Sequence, residues 1–492
     1  MSGDAPKVTV ELDGAPVTVR LIEVRVVQCL GLPAQCELAF AGAVDAAADT
    51  AAAGAQVRVS VAGQAQPLFN GTLAAVHRRL RPGQGELCRL RAYDALQGLR
   101  GHGQTTAYAA MTAGDLAERI AGAHGLSAQT SEPGPRWARI VQRGETDFAV
   151  LTEVAARVGL WPLIDGSTLR LVGPAGHGNA IALTLGEGLI ELDAETHPAA
   201  GAASATATGW DPFRAALRNG TASSPRLPRA IASEPNATAA LALAGLVVED
   251  SDQAEALAQT ALDRRAAAAA TIWGTAVGDT RIVPAARLDL RGVPANLSGT
   301  WTVMHAEHTI DAEGYRVRFD TELPPAPTPG RPATAFIGRV SDVADPDRLA
   351  RVRVTYDALG EAESDWLQVL GPVAGPGRGL VTTPEVGDHV LVLPLGSDPA
   401  RAVVLGGLWS ESGQPETAVS GSRVRRAGWI APGGHRLWFD DAEGQVLLEH
   451  HGGQRLTLDG KGVRLHADGN LLIDAPGSTI TLRAARIDFE KG

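Results

Sequence analysis

The chain has 492 residues, a formal net charge of −11 and only 4% aromatic residues. That length suits about three to five domains, and the acidic balance argues against a nucleic-acid-binding surface or a basic membrane patch. Cys29, Cys36 and Cys88 are odd in number and lack metal-ligand spacing, which argues against a disulfide scaffold. No apolar run approaches the ~18 residues of a membrane helix, so stable membrane anchoring is not expected. The opening MSGDAPKVTVELDG lacks the basic-then-apolar pattern of a signal peptide. The expectation is synthesis in the cytoplasm and, if the chain leaves a cell, passage inside a larger particle, intracellular or released.

Residues 1–100 read as a first β unit: KVTVEL, APVTVRLIEVRVV, CELAFAG, AQVRVSVAG, PLFNGTLAAVHRRL and ELCRLRAYDAL alternate in the strand manner, with Gly and Pro between them. Asp45–Ala55 is an Ala-rich loop or a short helix, and the pattern does not choose. Residues 101–176 change to a small α+β unit. MTAGDLAERIAGAHGL predicts a helix capped by Thr112, with Leu116 and Ile120 four apart. GETDFAVLTEVAARVGL predicts a second, with Phe148, Leu151, Val154, Ala155 and Val158 on one side. WPLIDGSTLRLVG follows as a hairpin turning at Asp165-Gly166. Residues 177–322 return to β around an irregular Gly201–Asn236 and a long helix within Ser251–Ala270, free of Gly and Pro. LPPAPTPGRPA (323–333) is a Pro-rich linker. Five or six short strands in 334–412 suit a Greek-key barrel of the OB type. Its sparse aromatics and abundant acids argue against nucleic acid as the ligand.

A connector (413–433) leads to the stretch 434–492, where alternating pairs recur: Leu437/Phe439, Val446/Leu448, Leu456/Leu458, Val463/Leu465, Leu471/Ile473, Ile480/Leu482 and Ile487/Phe489. The step is roughly 8 residues, the short fixed period of a stacked β array. A spacing of two puts both members of a pair on one face of a strand. The opposite face reads as polar, with Thr457, Asp459, Arg464 and His466. Two apolar residues per strand cannot build a core within one chain. The expected solution is a trimeric β-helical needle, with the first twelve residues of those pairs as its core; the alternative is an ordinary β-meander. Leu456→Asp is then expected to be severe and Thr457→Asp nearly neutral.

At the barrel the chain becomes recognisable. GRVSDVADPDRLARVRV, PEVGDHVLV and AVVLGGLWS resemble the OB domain of VgrG proteins and phage-tail central spikes, and AYDALQGLRG and RGETDFAVLTEVAARVGLWPLIDGSTLRL resemble the hub of that family. The order of units matches over essentially the whole chain: hub β-barrel 1 (1–100), small α+β hub domain (101–176), hub β-barrel 2 (177–322), OB domain (334–412) and needle (434–492). The fold class is therefore mainly β and multidomain. The resemblance implies a homotrimeric spike of a contractile injection system, most like the extracellular phage-tail-like kind. Its hub would join a sixfold inner tube to a threefold, membrane-puncturing needle. The implied partners are the inner tube protein, baseplate proteins, effector cargo and a PAAR-type tip protein, with Ile487 and Phe489 anchoring that tip.

No enzymatic chemistry is expected. Glu411–Gly428 is too short for the lysozyme that some phage spikes carry there, and no G-x-S-x-G, H-E-x-x-H or P-loop match occurs. His305 and His308 alternate to opposite faces of a strand, and His450-His451 share that problem, so no metal or cofactor is expected within one chain. Three copies of one His around a trimer axis remain open. Glu385 and Asp388 read as barrel turn residues, and Asn219, Asn236 and Asn296 lie in N-x-S/T triplets without relevance outside secretion. Two other readings stand beside the non-enzymatic spike: a trimeric tail-fibre-like adhesin, and a spike carrying its own toxin activity.

Overall fold

The computed structural model describes residues 6–42, 44, 54–82, 85–101, 103–197, 201–211, 214, 216–228, 240–326, 334–395, 398–410 and 418–490. Most of the Ala-rich stretch 45–55, linker positions 327–333, connector positions 413–417 and Asn236 lie outside them. The chain divides into two compact units, Met1–Leu408 and Trp409–Gly492.

The first unit is built on one eleven-stranded sheet that both β units of the sequence share. From the N-terminal part come Val8–Leu12, Ala15–Pro16, Arg20–Cys29, Gln35–Ala41, Gln56–Val61, Phe69–Arg81 and Gly85–Tyr93; from the later part come Leu189–Thr196, Ala270–Val277, His305–Asp311 and Gly314–Asp320. The seam is the antiparallel pair His305–Asp311 and Arg20–Cys29, with His308 opposite Val26 and Ile310 opposite Val24. Each side keeps its own core. One gathers Val24, Val26, Leu38, Phe40, Val57, Val59 and Leu90, and the other Ile272, Leu288, Leu290, Val303, Val317 and Phe319. Tyr315 packs against both.

The mixed unit holds α1 (Ala113–Ala123) and α2 (Asp147–Arg157). Thr112 accepts from Asp115 N while Asp115 accepts from Thr112 N, a reciprocal cap that satisfies two otherwise orphaned donors. Leu116, Ile120, Leu151 and Val154 fill the core beneath, as the helical spacing predicts. The hairpin Trp161–Asp165/Thr168–Val172 turns at Gly166-Ser167, one residue later than expected, because Asp165 itself pairs with Thr168.

The irregular reading of Gly201–Asn236 is corrected in its first half. Ser204–Asp211 and Ala216–Ala222 are strands, joined in a sheet by Ala240–Val247. Ser204–Asp211 begins as Ala against Thr, which offers little hydropathy contrast, and Ala216–Ala222 turns Gly220 and Ala222 inward and leaves Leu217 exposed. Small residues are needed there because α3 (Ser251–Ala267) lies directly on the sheet: a Cβ at Gly220 would sit 2.0 Å from Glu255 N.

The OB part is a six-stranded sheet containing Phe336–Asp342, Arg353–Tyr356, His389–Leu395 and Asp398–Leu408 around Val340, Val354, Tyr356, Val390, Val392 and Val404. Its Arg401, 8% exposed, reaches to the start of α3. The guanidinium donates to Glu249 Oε1 at 3.1 Å, to Gln253 Oε1 at 2.7 Å and to the Val247 carbonyl. Among the described residues no helix is long and apolar enough to cross a membrane.

Candidate functional site

The second unit carries the recurring pairs. Arg426–Ile430, Arg436–Asp440, Gln445–Glu449, Arg455–Asp459 and Gly462–His466 form an antiparallel five-stranded sheet in chain order. Turn carboxylates fix its hairpins. Asp440 Oδ1 accepts from Ala442 N and Glu443 N, both at 3.0 Å, and Asp459 Oδ1 accepts from Lys461 N at 2.7 Å.

Register brings the predicted pairs together on one face. Leu437 lies opposite Leu448, Leu448 opposite Leu456, and Leu456 opposite Leu465; Phe439 lies opposite Val446, Val446 opposite Leu458, and Leu458 opposite Val463. In the single chain this face is largely open: Phe439 is 52% exposed and Val463 69%. Burying one such side chain fully contributes about 1.5–3 kcal/mol, a gain this face does not take within one chain. Contiguous apolar surface of this kind marks an interaction site.

The opposite face is not uniformly polar. Trp438, Leu447 and Thr457 align across it, and Trp438 and Thr457 are 8% and 9% exposed. The indole lies across Gly428, where a Cβ would meet the ring at 2.4 Å. Thr457 is therefore better buried in one chain than Leu458 beside it. The expectation that Thr457→Asp is neutral does not hold, because it overlooked the Trp438–Leu447 ladder.

Residues 467–490 form no strand. Leu471, Ile473, Ile480, Leu482, Ile487 and Phe489 are all exposed there, and Phe489 is the most open at 89%. Within one chain the repeat is thus a meander followed by unpaired chain, not seven paired strands.

His305 and His308 lie on opposite faces of their strand, as parity predicts, whereas His450 and His451 depart from it. His308 is buried. Its Nε2–H donates to Ile282 O at 3.0 Å, so Nδ1 is the acceptor for the Tyr315 hydroxyl at 2.9 Å. Burial pushes its pKa down to about 4, against the pull of the Ile282 carbonyl and the Asp279 charge. His305, on the other face, bonds Asp320 at 3.2 Å, which raises it. His450 and His451 do not alternate, since His450 follows the strand Gln445–Glu449 and His451 opens the turn after it. Both gather with His435, with one ring nitrogen from each within 4.8 Å of the others.

The sequence reading also missed a polar network in the mixed unit. Asp147, in the first turn of α2, accepts from Gln104 Nε2 at 2.6 Å and Gln142 Nε2 at 3.0 Å and lies 2.9 Å from His124 Nε2. Burial would raise its carboxyl, but the bonds from Gln142, His124 and Gln104 hold it below the usual range. A cleft of about 440 Å³ lined by Tyr108, Arg119 and Asp147 adjoins it. The network ties the strands Thr105–Met111 and Trp137–Arg143 to both helices. Glu385 and Asp388 close a turn, with Asp388 Oδ2 accepting from Glu385 N at 2.9 Å.

Two family models match the chain. One, described as the Type VI secretion system/phage-baseplate injector OB domain, covers residues 336–409. The other, described as the Alg8 N-terminal domain, covers residues 48–312. No curated protein matches. Among solved structures, the Escherichia coli c3393 protein, a type VI secretion component, is 14% identical, with TM-score 0.56 over 81% of this chain and 99% of that one. A chain of the half-lidded Francisella PdpA–VgrG complex is 8% identical, with TM-score 0.57 over 93% and 87%. The 43 kDa tail protein of prophage MuSo2 from Shewanella oneidensis is 12% identical, with TM-score 0.50 over 65% and 98%. The Alg8 match spans more than half of the chain, and the chain belongs to that family. Its mainly β, multidomain fold with an OB domain is that of VgrG-like spike proteins.

Proposed function

From that membership and fold, we propose that this chain is the spike of a contractile, phage-tail-like injection system. Three copies assemble into one hub and one needle, and the hub joins a sixfold inner tube to the threefold needle. The observation that carries this reading is the open apolar face from Leu437 to Leu465, followed by the exposed pairs from Leu471 to Phe489. Wrapping three such chains about an axis turns these faces inward and pairs the free strand edges, which removes both liabilities of the single chain. At ~4.8 Å per strand, seven layers make a needle roughly 30–35 Å long.

The role is mechanical and non-enzymatic. Partners are the inner tube and baseplate proteins, effector cargo and a PAAR-type tip seated on Ile487 and Phe489, and the protein acts as part of the particle. Light scattering on purified full-length protein tests the core of this reading. Three times the 51.0 kDa chain mass is expected, and a stable monomer at micromolar concentration refutes it.

A further inference from the structure

We propose that His435, His450 and His451 form a three-imidazole site for a divalent transition metal of the zinc class. Register builds the site. Arg436 pairs with Glu449, so the next residues outward, His435 and His450, face each other at the open end of that hairpin. The turn that begins at His451 folds the third ring back onto them. Ring centroids lie 4.6 Å (His435–His450), 4.9 Å (His435–His451) and 4.2 Å (His450–His451) apart.

The chemistry of the set selects the metal. Three neutral nitrogens and no carboxylate suit zinc, nickel or copper and do not suit calcium or magnesium, which take oxygen ligands. With metal–nitrogen bonds of about 2.0–2.1 Å, tetrahedral ligands stand roughly 3.4 Å from one another. The nitrogens, now within 4.8 Å, close that gap by side-chain rotation, which three exposed rings at a hairpin end are free to make. His450 is already oriented for it. With Nδ1–H donating to Gln454 Oε1 at 2.9 Å, in place of accepting from Gly452 N at 3.1 Å, the Nε2 lone pair is left for the metal, and such support of the second ring nitrogen is the habit of metal-bound histidines. On His435 the metal replaces only a long 3.4 Å contact from His451 N. Three protein ligands leave the fourth position to water. The bound ion staples the strand Arg436–Asp440 to the turn after Gln445–Glu449, at the start of the C-terminal sheet. The site is independent of the spike reading, because all three ligands come from one chain.

The test uses full-length protein stripped with a chelator, then titrated with Co²⁺ alone and followed by the visible absorption of the bound ion, with Zn²⁺ added as competitor. One equivalent per chain is expected. His435→Gln, His450→Gln and His451→Gln should each weaken binding at least tenfold, and the triple variant should abolish the signal. His77→Gln and His389→Gln, in the other unit, should leave it unchanged. Zn²⁺ should raise the melting temperature of the wild type and not that of the triple variant, at matched circular dichroism. If the wild type binds no more tightly than the triple variant, or if His77→Gln or His389→Gln loses as much as the cluster variants, the site does not exist.

Discussion

Lowering the pH from 7 to 4 is expected to loosen the seam of the eleven-stranded sheet by about 3 kcal/mol through one residue, His308. This side chain is fully buried between the Ile282 carbonyl and the Tyr315 hydroxyl, and burial holds its pKa at about 4. In the unfolded chain it titrates near 6.5. Between those values the unfolded state binds a proton that the folded state refuses. Stability is therefore full above about 6.5, falls as the pH drops towards 4, and loses nothing further below; 2.5 units at ~1.36 kcal/mol each give about 3 kcal/mol. Its neighbours keep their charge states through this window: Asp279 is held below the carboxylate range, and Tyr315 is pushed above the phenol range. His305 works in the opposite direction. Its raised pKa means that its bond to Asp320 contributes fully below about 6.5 and fades as the pH rises, so the wild-type curve alone understates His308. His308→Gln isolates the effect, since the amide can donate to Ile282 O, accept from Tyr315 and carry no proton. The assay is hydrogen exchange of the amides of His305–Asp311 in the full-length protein from pH 4 to 7, corrected for intrinsic exchange rates. The difference in opening free energy between wild type and variant should change by about 3 kcal/mol across that range. Parallel curves would refute the assignment of His308 as the acid-labile group.

Arg401→Met removes the guanidinium that joins the OB part to Glu249 and Gln253 at the start of α3. Glu249 loses its cation and keeps the bonds to Oε2 from Ala138 N and Gln253 Nε2, which should cost about 2 kcal/mol, read as earlier proteolytic release of residues 336–408. On the spike reading, Leu456→Asp places three carboxylates around one axis. At several kcal/mol for each buried charge, it should cost on the order of 10 kcal/mol and abolish the trimer in light scattering; an intact trimer with unchanged protease resistance would show that Leu456 faces outward. Lys461→Asp, in an exposed turn, is the matched control and should stay within about 0.5 kcal/mol of wild type. Deleting residues 485–492 should abolish capture of a PAAR-type tip protein in a pull-down while the trimer persists, and undiminished capture would remove Ile487 and Phe489 as its seat.

How much of this was legible depended on contrast and on register. Thr112 was readable as a cap from its residue type, its reciprocal bond with Asp115 was not, and the helix faces at Leu116 and Leu151 and the pairs from Leu437 to Leu465 were readable because each sets apolar against polar at a fixed period. Ser204–Asp211 was not, because Ala against Thr carries almost no such signal, and only the close approach of α3 at Gly220 explains why small residues stand there. Trp438 and Leu447 interleave with the predicted pairs, and their ladder becomes visible only once the strands are in register. The same register creates the His435–His450–His451 cluster from residues 15 positions apart, a distance at which no metal motif would have been sought. The shared sheet across the seam at Val26 and His308 was likewise hidden, since pairing between distant strands leaves no local mark on either.

The residues from Leu471 to Phe489 carry this one step further. They keep the period-two pattern of the paired strands before them, yet no strand forms there within the chain. Sequence pattern records which side chains share a face, whereas strand pairing needs a neighbour at the right register. Leu437 to Leu465 find that neighbour in their own hairpins. For the last three pairs no hairpin supplies it, and an exposed row of Leu, Ile and Phe has no reason in a lone chain. Copies of the same chain are the economical source of the missing edges, because one repeat then sets both the strand and its partner. The proposed trimer is on this argument a condition for the C-terminal pattern to fold as its alternation directs, and the mass measurement tests that condition directly.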